Sequence, residues 1–193
     1  MAAAVMLPGS DLTIRGVGLN PTRAAFLSTL QRMGADIKID EEQLERGEPT
    51  GTLRIKGNSR SGSACALDIS GEIIPNLIDE LPLLAVVAAG TGCELEVRDA
   101  SELRVKESDR IAATTENLRR MGATVDERRD GWRISGQGRL HAAQLQSFGD
   151  HRIAMACAIA SLAADGESQI DDAKTAVAVS LPEFWELLAG VAE

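Results

Sequence analysis

The chain has 193 residues, 44% of them hydrophobic and 25% charged, the composition of an ordinary globular protein with length enough for a sizeable core. Its formal charge of −9 argues against nucleic acid or an anionic membrane as partner, since both demand a broad basic face. No apolar run approaches the ~20 residues of a membrane span, and Met1 to Leu7 lacks the basic stretch of a signal peptide, so a cytoplasmic protein is expected.

Met1 to Leu7 reads as the tail of an apolar helix, with a turn at Pro8-Gly9-Ser10 and a strand at Leu12-Thr13-Ile14. Asn20-Pro21 offers a cap and first-turn pair for a helix that Gly34 stops. The strand Asp36 to Ile39 follows it with period-two alternation. Asp40 to Thr52, and Asn58 to Ser63, are polar and glycine-rich and read as exposed loops. Asp79-Glu80-Leu81-Pro82 opens an apolar helix stopping at Gly90, before a strand at Glu94 to Val97. Glu107-Ser108-Asp109-Arg110 opens an amphipathic helix with Ile111, Thr115, Leu118 and Met121 on one face, then a strand at Thr124 to Glu127. His141 follows a glycine-rich turn and reads as a surface residue. Asp150-His151-Arg152 opens a last small-residue helix, stopping at Gly166, with a strand at Ser168 to Ile170.

These elements repeat. Leu30-Gln31-Arg32-Met33-Gly34-Ala35 and Leu118-Arg119-Arg120-Met121-Gly122-Ala123 are one phrase used twice, each after a helix start that bears an arginine (Arg23, Arg110). Helix, strand, helix, two strands recur about three times. The reading is an α/β domain over residues 1–193, with three related units around a shared core and the first unit cut short. A chain beginning inside a unit is expected to be a piece of a longer protein.

The chemistry gathers at two phrases, Lys106-Glu107-Ser108-Asp109-Arg110 and Gly149-Asp150-His151-Arg152. Each reads as a helix's first turn, where free N–H groups and the dipole favour anions. A guanidinium at each start adds a two-pronged grip on carboxylate or phosphate. An anionic small-molecule substrate is expected. Each residue also has an ordinary structural reading: Asp79 as a helix cap, Glu107 as a dipole-complementing acid, and Arg110 as the partner of Asp109 or Glu107 on a solvated face. Cys65, Cys93 and Cys157 are widely spaced without a CxxC pair, and histidines number two, so neither a zinc site nor a disulfide framework is expected. Each cysteine reads as a small buried apolar residue. The nucleotide loops G-x-x-x-x-G-K-[ST] and G-x-G-x-x-G are absent.

Arg104-Val105-Lys106-Glu107-Ser108-Asp109-Arg110, with Asp79-Glu80-Leu81-Pro82 before it and Gly149-Asp150-His151-Arg152 after it, closely resembles the 5-enolpyruvylshikimate-3-phosphate synthase family. Gly18 to Arg23, Met33-Gly34-Ala35 and Ser180 to Phe184 agree, and the resemblance spans nearly the whole chain. It implies two domains, each of three βαβαββ units around a pseudo-threefold core, closing on the substrates. This chain would be the carboxyl-terminal half, its amino-terminal partner domain lying elsewhere. The reaction implied is transfer of the enolpyruvyl group of phosphoenolpyruvate to the 5-hydroxyl of shikimate 3-phosphate with release of phosphate, using no metal or organic cofactor. By resemblance Asp79 binds the sugar-like substrate and acts as base, Glu107 shuttles the methylene proton, Lys106 contacts shikimate 3-phosphate, and Arg110 and Arg152 hold phosphoenolpyruvate. The resemblance leaves His151 between substrate contact and the positioning of Arg152. Many members carry a lysine where this chain has Val179, with Lys174 nearby but out of register. Two alternatives stand: the related transferase acting on UDP-N-acetylglucosamine, and an anion-binding module without turnover. Half a closing clamp is expected to be inactive alone.

Overall fold

A computed structural model of the chain describes residues 1–57, 65–135 and 138–192. The elements in chain order are α1 (Ala2–Met6), β1 (Asp11–Gly18), α2 (Ala25–Arg32), β2 (Asp36–Glu45), β3 (Glu48–Lys56), β4 (Ala66–Ile69), α3 (Ile74–Leu77), α4 (Leu81–Thr91) and β5 (Glu94–Val97). A 3₁₀ turn (Ser101–Val105) leads to α5 (Arg110–Arg120), β6 (Thr124–Arg128), β7 (Gly131–Ser135), β8 (Gln144–Gln146), α6 (His151–Leu162), β9 (Gln169–Asp171), α7 (Ala173–Ala178) and α8 (Phe184–Ala192). No single described helix is long and apolar enough to cross a membrane.

The middle repeat is complete. Its strands order as β4-β5-β7-β6, with β4 parallel to β5 and the other pairs antiparallel. With the crossovers α4 and α5 this is a βαβαββ unit. The first repeat supplies α1 and a three-stranded sheet ordered β1-β3-β2; the third supplies the parallel pair β8-β9 joined through α6, then two helices. The α/β, three-unit architecture expected from the repeat is therefore present.

Helices α1, α4 and α6 come from equivalent places in the three repeats and pack on one another at the centre. Their composition explains it: Leu81, Leu84, Ala85, Val87, Ala88 and Ala89 of α4 are all 0% exposed, so no side of that helix needs a polar face. Small residues let the helix backbones approach closely. A Cβ at Gly90 would sit 3.0 Å from the Met6 sulfur. The amphipathic α5 lies outside this trio, burying Ile111, Thr115, Leu118 and Met121 as its spacing requires.

Several expectations are corrected, among them the stop of the last small-residue helix, which ends at Leu162 and not at Gly166. Asp40 to Thr52 is the body of a hairpin, because β2 and β3 satisfy each other's backbone while their charged side chains face water. Its turn uses Arg46 and Gly47, both with positive φ (52° and 87°), the geometry a two-residue hairpin requires. Helix α4 stops at Gly92, not Gly90: Gly92 takes φ 78° and its N–H donates to the Ala88 carbonyl at 3.0 Å. Asn20 accepts hydrogen bonds from the Thr22 N–H and hydroxyl, holding a turn that precedes α2 instead of capping the helix itself. Cys65 and Cys93 form a disulfide, since the parallel pairing of β4 with β5 sets the residues ahead of each strand side by side. Cys157 is buried as expected, and His141 is exposed, its ring 2.9 Å from Asp165. The segment Asn58 to Ser63 lies outside the described residues.

Candidate functional site

The start of α6 is fixed by Asp150, which caps it by accepting the Arg152 N–H at 2.9 Å. Asp150 is 0% exposed, so the rest of its carboxylate needs partners from the protein. Arg110 donates from Nε to Oδ2 at 2.8 Å and from Nη2 to Oδ1 at 3.3 Å, and the Ser108 hydroxyl donates to Oδ2 at 3.0 Å. Arg110 is itself 1% exposed, and this two-pronged bond locks α5's first residue to α6's cap.

Helix α5 has its own cap. Asp109 accepts the Ala112 N–H at 3.0 Å through one oxygen and Arg104 Nη1 at 2.8 Å through the other. Arg104 also donates to Glu127 and to the carbonyls of Arg128 and Arg129, tying the 3₁₀ turn to the β6–β7 hairpin. Lys106 and Glu107 therefore precede the helix; the first turn expected at Lys106 begins only at Arg110. Glu107 still reaches Arg110, Oε2 to Nη2 at 2.6 Å.

Asp79 joins the two arginines. Its carboxylate lies 3.2 Å from Arg110 Nη1 and 3.1 Å from Arg152 Nη2. Glu80 stands 3.7 Å from Arg152. The fold thus brings Asp79, Glu107, Arg110 and Arg152 into one cluster, from three separate helix starts. Lys106 is not in it: its ion pair among the described residues is with exposed Glu102. His151 occupies the first position of α6, half-buried beside Arg152. Val179 ends α7 with 85% exposure, and Lys174 is also on that helix's exposed side. Asp150, Ser108 and Arg104 were not foreseen as site residues. The signal for Asp150 was its place before a helix start, but its pairing with Arg110 spans forty residues.

Burial works against the charge on Arg110, yet the hydrogen bonds and charge of Asp150, with Glu107 and Asp79, raise its pKa above the ordinary value. Burial likewise opposes ionisation of Asp150, but Arg110, the Arg152 N–H and Ser108 win and hold its carboxyl below the usual range. Glu80 goes the other way: desolvation, aided by neighbouring Asp79, raises its pKa despite Arg152. The side chains of Asp79 and Glu107 are 40% and 49% exposed. An arriving anion can displace them from the guanidiniums, while Asp150 stays fixed beneath. Beside Asp79 and Arg152 opens an apolar groove of about 680 Å³, walled by α1, β1, α4, α6 and α8. Among the described residues no cluster of three metal-ligating side chains occurs.

The family model for EPSP synthase (3-phosphoshikimate 1-carboxyvinyltransferase) matches residues 1–188. The chain belongs to the EPSP synthase family. It is 50% identical over 191 residues to the 3-phosphoshikimate 1-carboxyvinyltransferase of Desulforamulus reducens, covering 99% of this chain and 43% of that protein. It is 48% identical over 193 residues to the enzyme of the same name from Solibacter usitatus, covering 100% and 44%. The solved EPSP synthase of Acinetobacter baumannii superposes with a TM-score of 0.89 at 35% identity, over 98% of this chain and 43% of that one. The chain thus spans less than half the length of these EPSP synthase relatives.

Proposed function

We propose that this chain is the carboxyl-terminal half, a single domain, of a 3-phosphoshikimate 1-carboxyvinyltransferase, and that it provides one wall of the site where phosphoenolpyruvate meets shikimate 3-phosphate. The observation carrying this reading is the guanidinium of Arg110, buried by Asp150 and linked to Arg152 through a displaceable carboxylate. A guanidinium locked by buried Asp150, beside a more open one at a neighbouring helix start, suits a substrate with both carboxylate and phosphate groups. Phosphoenolpyruvate replaces Asp79 and Glu107 as their counter-anion.

The released carboxylates then lie next to the reacting atoms. Asp79 takes the proton of the 5-hydroxyl as its oxygen bonds to the substituted vinyl carbon. Glu107 delivers a proton to the methylene carbon, giving a tetrahedral adduct, and recovers one from the resulting methyl group as phosphate leaves. Arg110 and Arg152 hold the phosphoenolpyruvate moiety, stabilising the negative charge on the departing phosphate. Lys106 has a substrate role only after rearrangement, since it must leave Glu102 to reach shikimate 3-phosphate, while His151 stands at the first position of α6 beside Arg152. The amino-terminal domain closes the opposite wall, and without it the chain has no appreciable turnover, because water is not excluded.

Binding tests this reading directly. Phosphoenolpyruvate added to the isolated chain shifts amide resonances at Glu107 to Ile111 and His151 to Ile153, weakly, and moderate salt abolishes the shifts. Shifts centred elsewhere, or none at millimolar ligand, would contradict it.

A further inference from the structure

The two cysteines of the Cys65–Cys93 bond are not equivalent. Their Cα atoms are 4.7 Å apart at the heads of two parallel strands, and the Glu94 N–H donates to the Cys65 carbonyl at 2.8 Å. That backbone register holds the pair together whether or not the sulfurs are joined. Cys93 is 1% exposed, directly after the Gly92 cap of α4, whereas Cys65 is only half-buried. Cys65 is therefore the residue of the pair more open to an external reagent. Between them the chain runs through β4, α3, Asp79, Glu80 and α4, so the bond closes a ring around the segment that carries Asp79.

We propose that Cys65 and Cys93 are a reversible thiol–disulfide couple: Cys65 is the thiol that attacks a small external disulfide of the glutathione class and, in the reverse direction, the disulfide sulfur that an external thiolate of that class attacks, and Cys93 is the resolving thiol. In the forming direction the Cys65 thiolate attacks one sulfur of the external disulfide, and one external thiolate leaves. The Cys93 thiolate, its proton lost to solvent, then attacks the Cys65 sulfur and expels the second external thiolate. Two protein thiols are oxidised and one external disulfide is reduced to two thiols. Cys157 takes no part: at 4% exposure within α6 it is out of reach of an external disulfide, whereas Cys93 has only to reach the sulfur of neighbouring Cys65. The bond staples both ends of the crossover that presents Asp79.

The test uses the whole chain, first reduced, then exposed to oxidised glutathione, denatured and alkylated. The expected product is lighter by two hydrogens than the reduced chain before alkylation, carries no glutathione, and is alkylated at Cys157 alone. The C93S variant accumulates a glutathione adduct on Cys65, and C65S does not react. The oxidised chain melts roughly 5–10 °C above the reduced one, and dithiothreitol reverses the shift. Glutathione persisting on the unaltered chain, an adduct on Cys93 in C65S, or disulfide-linked dimers would overturn the assignment. Equal melting temperatures would overturn the stapling.

Discussion

Arg110 keeps its charge at 1% exposure because the buried carboxylate of Asp150 offers it two hydrogen bonds and an opposite charge. Removing that carboxylate strands a cation inside the protein. Asp150→Asn is expected to destabilise the chain by about 3–5 kcal/mol in chemical denaturation, whereas Asp79→Asn, at a 40% exposed side chain, costs under ~1 kcal/mol. The pH dependence follows from the same residue. Because the folded-state pKa of Asp150 is depressed, its contribution is complete above the ordinary carboxylate value of about 3.9, and is lost as pH falls through the lower folded value. Acid titration of stability should therefore steepen below about pH 4, and the Asp150→Asn chain should lack that component. Glu80, with its raised pKa, contributes in the opposite sense, favouring the fold slightly as pH drops through its folded value toward the ordinary carboxylate value. The sequence reading reached Glu107, Arg110 and Arg152 through their place at helix starts, and Asp79 through the family resemblance. It could not reach Asp150's second role, since nothing local says which arginine forty residues away a capping carboxylate will meet.

At the scale of elements, the helix starts depend on two aspartate caps. Loss of the Asp109 carboxylate frees both the Ala112 N–H and Arg104, so Asp109→Ala is expected to cost about 1–2 kcal/mol. The sharper test lies in the middle sheet. A Cβ at Gly131 would fall 2.0 Å from the Val97 carbonyl oxygen, where β5 and β7 pair. Gly131→Ala should therefore lower stability by at least about 2 kcal/mol in urea denaturation. The repeated helix phrases were legible because a 3.6-residue apolar period and a closing glycine are local signals. The turn end of the β2–β3 hairpin was not, because Glu41 to Glu45 are exposed on both faces and lose the apolar alternation that marks most strands. Its Arg46-Gly47 turn was the remaining clue. The cysteine pair was invisible for another reason: only the parallel register of β4 with β5 makes residues 28 apart neighbours.

Across the whole molecule, the pseudo-threefold arrangement gathers the starts of α4, α5 and α6 at one place, so that three short motifs far apart in the chain build the cluster of Asp79, Glu107, Arg110 and Arg152. The match over residues 1–188 and the 0.89 TM-score fix the family and its fold. The relatives are more than twice as long, and the account assigns this chain one wall of a two-walled cleft. Phosphate release from phosphoenolpyruvate plus shikimate 3-phosphate tests that claim most directly, run with this chain alone and mixed with a separately produced amino-terminal half of the Desulforamulus reducens relative. The account predicts release only in the mixture, and its loss when Glu107→Gln replaces the native chain. Turnover by the chain alone, or silence from two folded and associated halves, would contradict it.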